Sequence, residues 1–194
     1  MPKAANIDAI VARIEDLDSG RRPILVGIDG RGGAGKSTLA IALAERIDGA
    51  GIVQMDDLYL SNAQRRSTGA GIGTNYDRKR LVEQVLAPLQ AGRPARYQRY
   101  DWDLDVLAEW IELDGPRIVI IEGVTSIADD VASCYDFTIW VETPLETCLT
   151  RGIERDGESM RGQWEDVWLP GDEAYRAAQS PDARADIVVS GLRH

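Results

Sequence analysis

The chain is almost without histidine: the only one is His194, its last residue. A side chain at a chain end is more readily a frayed tail than a ligand. Imidazole is thereby excluded as general base, and any base must be another group. Cysteine is nearly as scarce. Cys134 and Cys148 have neither metal-site nor redox spacing and read as small buried residues. Positive charge is also short, with 22 Lys and Arg against 32 Asp and Glu and a net charge of −10. Nucleic-acid partners call for a basic footprint, so none is expected. No apolar run is long enough to span a bilayer, and no leader pattern is visible. The expectations are no membrane partner, a cytoplasmic location and reduced thiols. Repeats and low-complexity segments are missing too. The length of 194 residues fits a single domain, 1–194, with a full core.

What the chain does have is one dense motif. Ile24-Leu25-Val26-Gly27-Ile28 reads as a buried strand and is followed by G-x-x-x-x-G-K-S, with Gly30, Gly35, Lys36 and Ser37 at the fixed places. A run of helix formers, Leu39 to Ile47, comes next. Glycines let the backbone aim several N–H groups into one concavity, and the helix start adds its positive dipole end. The loop Gly30, Arg31, Gly32, Gly33, Ala34, Gly35, Lys36, Ser37 and Thr38 is therefore expected to cradle a nucleoside triphosphate. Lys36 would meet the β- and γ-phosphates and Ser37 would ligate Mg²⁺.

The rest of the chain alternates strands and helices. Strands are expected around 24–28, 52–55, 118–122, 136–141 and 186–189, with surface helices before the first strand and after most others. The implied fold is α/β: a three-layer P-loop NTPase sandwich, with a mainly parallel five-stranded sheet and helices on both faces. Residues 61–76, rich in Ser, Asn, Gly and Thr, read as a long loop within an acceptor-side insertion at about 60–110. Asp77 reads as a helix N-cap or first-turn acid. Ala95 to Trp102 reads either as a half-buried edge strand or as a ring-binding segment, and spacing leaves both open. Asp56 or Asp57, at the end of the second strand, could sit near a γ-phosphate, since open parallel sheets bind ligands beyond their carboxyl ends. That strand is expected beside the phosphate-loop strand. Glu122 ends four aliphatic residues, where a buried acid is costly unless it serves a metal. Arg151 and Arg155, one helical turn apart, suggest a lid at about 151–168 that closes over phosphates, with Arg161 beyond them. Trp164 and Trp168 are expected to pack.

Four blocks taken in order resemble the uridine kinase branch of the P-loop kinases, which also holds phosphoribulokinase and bacterial pantothenate kinase. They are Gly30 to Thr38; Gln54-Met-Asp-Asp-Leu-Tyr59; Tyr76-Asp77 through Leu89, Gly92 and Pro94 to Tyr100-Asp101; and Ile118 to Gly123 with Arg151-Gly-Ile-Glu-Arg155-Asp156. The resemblance implies an ATP- and Mg²⁺-dependent transfer of the γ-phosphate to a hydroxyl of a small molecule. It implies that Asp56 is the base, that Tyr100 and Asp101 lie near the acceptor, and that Arg155 belongs to the lid; Tyr59, which ends the second block, is a further substrate-binding candidate. Asp57 should then point away as a turn acid. Uridine kinases carry an acid for the ribose hydroxyls where this chain has Ala70-Gly-Ile-Gly-Thr74, and a pyrimidine-reading His where it has Asp105. If a ribose binds here, Asp77, Arg99 and Asp101 are the nearest candidates to hold it. Uridine or cytidine is the first acceptor to consider. A sugar or pantothenate-like acceptor, or a non-catalytic nucleotide-binding regulator, is the alternative, and a homo-oligomer stays open.

Overall fold

The computed structural model describes residues 6–18, 20, 22–68 and 75–191. Residues 70–74 and His194 lie outside them. Helix α1 (Ile7–Glu15) is capped by the Asn6 side chain and buries Ile10 and Ile14. Strand β1 (Ile24–Gly30) feeds the glycine loop and then α2 (Lys36–Ala44). Strand β2 (Ala50–Gln54) ends in a tight helical turn over Met55–Leu58. The expected loop at 61–76 is partly helical, since α3 covers Asn62–Thr68. Asp77 caps the next helix as expected, by accepting the Arg80 N–H. That helix, α4, runs from Arg78–Leu81 through a π-turn at Val82–Leu86 into Ala87–Gln90. Strands β3 (Ala95–Asp101) and β4 (Val106–Leu113) form an antiparallel hairpin separate from the main sheet. The strand at 106–113 has no counterpart in the sequence reading, and it turns the segment from Ala95 into a paired strand. Then come β5 (Ile118–Glu122), β6 (Phe137–Glu142), α5 (Leu145–Asp156), and α6, which joins Arg161–Gln163, a π-turn at Trp164–Trp168 and Leu169–Gln179. Strand β7 (Ile187–Ser190) closes the order.

All five expected sheet strands form, wholly parallel, in the order β2-β5-β1-β6-β7. One expectation is corrected here. Strand β2 does not lie beside β1, because β5 is inserted between them. Successive strand residues face opposite sides, and the central strands are buried on both, which is why they read as unbroken aliphatic runs. Val26, Ile28, Ile118, Ile120 and Ile139 pack with α1, α2, α5 and α6. Leu25, Val119, Ile121 and Trp140 pack on the other side with α4 and the hairpin. Three layers result.

The sheet is pinned at its entry edge. Arg22 donates to both carboxylate oxygens of Asp136, at 2.7 and 2.6 Å, and Asp136 also accepts the Leu25 N–H at 2.9 Å. Burial works to raise the Asp136 carboxyl, but the Arg22 and Leu25 bonds outweigh it and hold it below its ordinary value of 3.8. A depressed acid stabilises the fold above its unfolded pKa and loses that contribution as pH falls through the folded one. Asp136→Asn is therefore expected to cost about 1–3 kcal/mol of unfolding free energy at pH 7. Urea titrations between pH 7 and pH 3 check it: the gap from wild type should narrow once the pH drops below 3.8.

Candidate active site

The glycine loop adopts the cradle that its sequence demands. Gly35, at φ 101°, starts α2 from the left-handed region. Gly33, at φ 75°, presses its backbone against the Cys148 carbonyl, so any Cβ there would collide. The α2 N-terminus thus faces open space with unsatisfied N–H groups, a ready anion site. Lys36 is buried, and its ammonium donates to the Arg31 carbonyl at 2.8 Å. The Arg31 side chain turns away from the cradle as a brace. It donates to Glu173 at 2.5 Å, Glu142 at 2.8 Å and the Thr143 carbonyl at 3.1 Å.

Glu122 ends β5 in register with Ile28 and Gln54. Burial raises its pKa, while the Lys36 charge and a hydrogen bond from Ser37 oppose the rise. A buried carboxylate beside a hydroxyl at the phosphate end is a donor set that suits Mg²⁺, which takes oxygen ligands and keeps several waters. Among the described residues no group of three or more His, Cys, Asp or Glu could hold a metal by itself, so phosphate oxygens would complete the shell.

A cavity of about 1210 Å³ opens over this end of the sheet, larger than the usual pocket for one small molecule and so roomy enough for two substrates. Asp56 lines it and has no hydrogen bond or ion pair among the described residues. Asp57 does point away, but as an anchor: it accepts the Tyr97 hydroxyl at 2.9 Å. Burial raises its pKa against that bond and the Arg99 charge. An aromatic wall also borders the cavity. The Tyr59 ring lies 4.3 Å from Trp102 and 5.1 Å from Tyr76, and all three line the cavity. Of the five residues expected around the acceptor, only Tyr59 lines it. Asp77 caps α4. Arg99 pairs with Glu109 at 2.7 Å and Asp101 at 3.2 Å. Asp101 holds the turn by accepting the Asp103 and Leu104 N–H groups. Tyr100 is buried and donates to Asp105, which also accepts the Asn62 N–H and so ties α3 to the hairpin.

The lid side is more tightly wound than the sequence suggested. Arg151 donates to the Gly191 carbonyl at 3.1 Å and approaches that of Gly33 at 3.4 Å, bridging β7 and the loop. Arg155 lines the cavity, paired with Asp156 at 2.7 Å, with its guanidinium 5.6 Å from the Trp164 ring. Arg161 pairs with Glu158 and Glu165 and does not line the cavity. Trp164 and Trp168 pack edge to face, as expected, but both also border the cavity. The Trp164 indole lies directly on Gly152, where no Cβ would fit.

Three residues that the sequence reading passed over converge here. Asp29, wholly buried at the end of β1, accepts the Gly30, Thr125 and Ile127 N–H groups and the Tyr175 hydroxyl. Its signal was an acid in an apolar strand, the argument already applied to Glu122. Asp172 accepts the Gly32 N–H at 2.8 Å. Thr125 takes a left-handed φ of 63°. Neither of these last two has a sequence signature.

Comparison with known proteins agrees with this geometry. The model of the phosphoribulokinase / uridine kinase family matches residues 25–170. A uridine kinase of Ureaplasma parvum serovar 3 is 29% identical over 185 residues, covering 87% of this chain and 89% of its own. The uridine kinase of Cronobacter sakazakii is 28% identical over 160 residues, covering 74% and 75%. The structure described as a "Possible Uridine Kinase" from Bacillus stearothermophilus superposes with a TM-score of 0.75 at 22% identity, over 94% of this chain and 96% of that one, and so shares its fold. With its phosphate-loop motif and parallel sheet, the chain belongs to the phosphoribulokinase/uridine kinase family and is a P-loop small-molecule kinase.

Proposed function

We propose that the chain transfers the γ-phosphate of Mg·ATP to a hydroxyl of a neutral, polyhydroxylated small molecule with an apolar face, uridine and cytidine first. The observation that carries this is the make-up of the acceptor end. Asp56 stands unpaired before the wall of Tyr59, Tyr76 and Trp102. The cations that line the cavity among the described residues are Lys36, Arg151 and Arg155. Lys36 and Arg151 belong to the phosphate end, and Arg155 to the lid. Residues 69–74, Gly-Ala-Gly-Ile-Gly-Thr, carry no ionisable side chain. Arg65 stacks 4.5 Å over the Tyr59 ring but does not line the cavity, so a carboxylate or phosphate on the acceptor would face Asp56 with little compensating charge in a partly desolvated site. The pantothenate-like alternative is therefore disfavoured, while a neutral sugar remains the second reading because Asp105 is spent on Tyr100 and Asn62.

In this reading the loop N–H groups and Lys36 hold the phosphates, and Ser37 and Glu122 hold Mg²⁺. The bound cation would neutralise charge on the β- and γ-oxygens. Asp56 orients the acceptor hydroxyl and takes its proton late, since a loose phosphoryl transition state needs little early deprotonation. Arg155 leaves Asp156 to meet the equatorial oxygens, with Arg151 bracing the loop beneath. An unpaired Asp56 facing the cradle is what speaks against a non-catalytic regulator.

Acceptor-dependent ADP release across uridine, cytidine, D-ribose, D-fructose, pantothenate and glycerate tests the substrate class. A nucleoside or neutral sugar should lead. A tenfold preference for either carboxylate would refute the neutral-acceptor reading. Asp56→Asn should lower kcat by about 10²–10⁴ with Mg·ADP still bound. Asp57→Asn should mainly lower the melting temperature through the lost Tyr97 anchor, and the reverse ranking would make Asp57 the base. Arg155→Ala should lower kcat about a hundredfold with a smaller change in nucleotide affinity. A kcat within about twofold of wild type would return Arg155 to a surface role.

A further inference from the structure

We propose that Asp172 and Thr125 form a second acceptor subsite that holds a hydroxyl other than the one phosphorylated; this rests on the kinase reading above. Both residues line the same cavity as Asp56. Asp172 spends one oxygen, Oδ2, on the Gly32 N–H, and its other oxygen has no partner among the described residues. The Thr125 hydroxyl is buried and unpartnered. A buried hydroxyl without a partner is costly, and a β-branched residue at positive φ adds strain. Two such costs on one residue bordering a ligand cavity mark a group held ready for a ligand.

The two residues are fixed to each other through Asp29. That carboxylate accepts the Thr125 N–H at 3.1 Å and the Tyr175 hydroxyl at 2.8 Å, and Tyr175 lies one helical turn after Asp172 on α6. The left-handed turn at Thr125 is thus locked by the same group that sets the rotation of α6. A carboxylate oxygen that can only accept and a hydroxyl that can donate or accept are complementary to an alcohol. They are poorly suited to an apolar group or an anion. The pair supplies an acid on the phosphate-loop side of the cavity, at a site the sequence pattern does not mark. Asp172 also shares its surroundings with the groups that would sense an acceptor, for its charge and that of Asp56 both act on the Tyr76 hydroxyl.

Burial pushes the Asp172 carboxyl up to about 6, against the Gly32 N–H bond and the Lys36 charge, with Asp29 adding to the rise and Arg31 opposing it. The acceptor KM of wild type should therefore increase below about pH 6. In Asp172→Asn, which keeps an oxygen for Gly32 N–H, it should stay level.

The deciding measurement compares uridine, cytidine and D-ribose with counterparts lacking one hydroxyl at a time, in wild type, Asp172→Asn and the isosteric Thr125→Val. For one hydroxyl other than the phosphorylated one, removal should cost wild type about tenfold or more in kcat/KM. The same removal should cost Asp172→Asn no more than about twofold, with Thr125→Val between them. Affinity for Mg·ADP, read by calorimetry, should stay within about twofold in both variants. An equal deoxy penalty in wild type and Asp172→Asn overturns the subsite and leaves the kinase reading standing. So does a loss of Mg·ADP affinity that matches the loss toward the acceptor, which would make Asp172 only a brace for the phosphate loop. A wild-type chain that binds Mg·ADP but phosphorylates none of the three compounds overturns the neutral-acceptor reading and this subsite with it.

Discussion

A single buried carboxylate ties the catalytic end of the sheet together. Asp29 is wholly enclosed, and isolating a charge there would be prohibitive. Burial accordingly raises its pKa, but the Ile127 and Gly30 N–H groups, Lys36 and the Tyr175 hydroxyl all act the other way. Those donors come from the glycine loop, the segment after β5 and helix α6. None of the three segments can shift without leaving Asp29 short of a donor. The phosphate cradle, the turn that carries Thr125 and the rotation of α6 are set by one requirement, the solvation of one acid.

The cradle is braced further from the lid side. Arg31 reaches Glu142 at the end of β6 and Glu173 on α6. Asp172 holds Gly32, the Cys148 carbonyl packs on Gly33, and Arg151 links Gly33 to Gly191. A loop rich in glycine loses much conformational entropy on ordering. These contacts place that cost in folding, so nucleotide binding does not bear it, and the N–H groups are aimed before a phosphate arrives.

How far the sequence could be read follows from the range of each interaction. The strands were legible because burial on both faces leaves a run such as Ile118 to Ile121 with no polar residue, a signal local to four positions. Glycine spacing at 30–37 and the acid at 122 were legible for the same reason. Strand order was not, because nothing in β2 records that β5 inserts beside it, and so Asp56 sits two strands from the loop strand. The acceptor residues were the least legible. Arg99 and Asp101 read as ligands, yet their charges are met by Glu109 and by turn N–H groups that only the hairpin brings near. Asp172 and Gly32 are 140 positions apart, and their bond leaves no trace in local pattern.

Arg155 is held at rest by weak interactions. Trp164 lies between Gly152 and Gly32, where an added Cβ on either glycine would clash with the indole. Its N–H donates to Asp156 at 3.0 Å, and Asp156 in turn holds Arg155. The state of the cradle and the position of Arg155 therefore meet at one indole. The side chain of Arg155 is 64% exposed in its pair with Asp156. Breaking such an exposed pair costs no more than about 1 kcal/mol. A charge-assisted bond to a transferring phosphoryl group in a closed site is worth roughly 1.5–3 kcal/mol. In the proposed reaction that balance would favour transfer of the guanidinium from Asp156 to the phosphates. Asp156, bonded also to the Trp164 N–H, would keep a partner if Arg155 left, so the resting pair can order this segment and still give way in the proposed reaction.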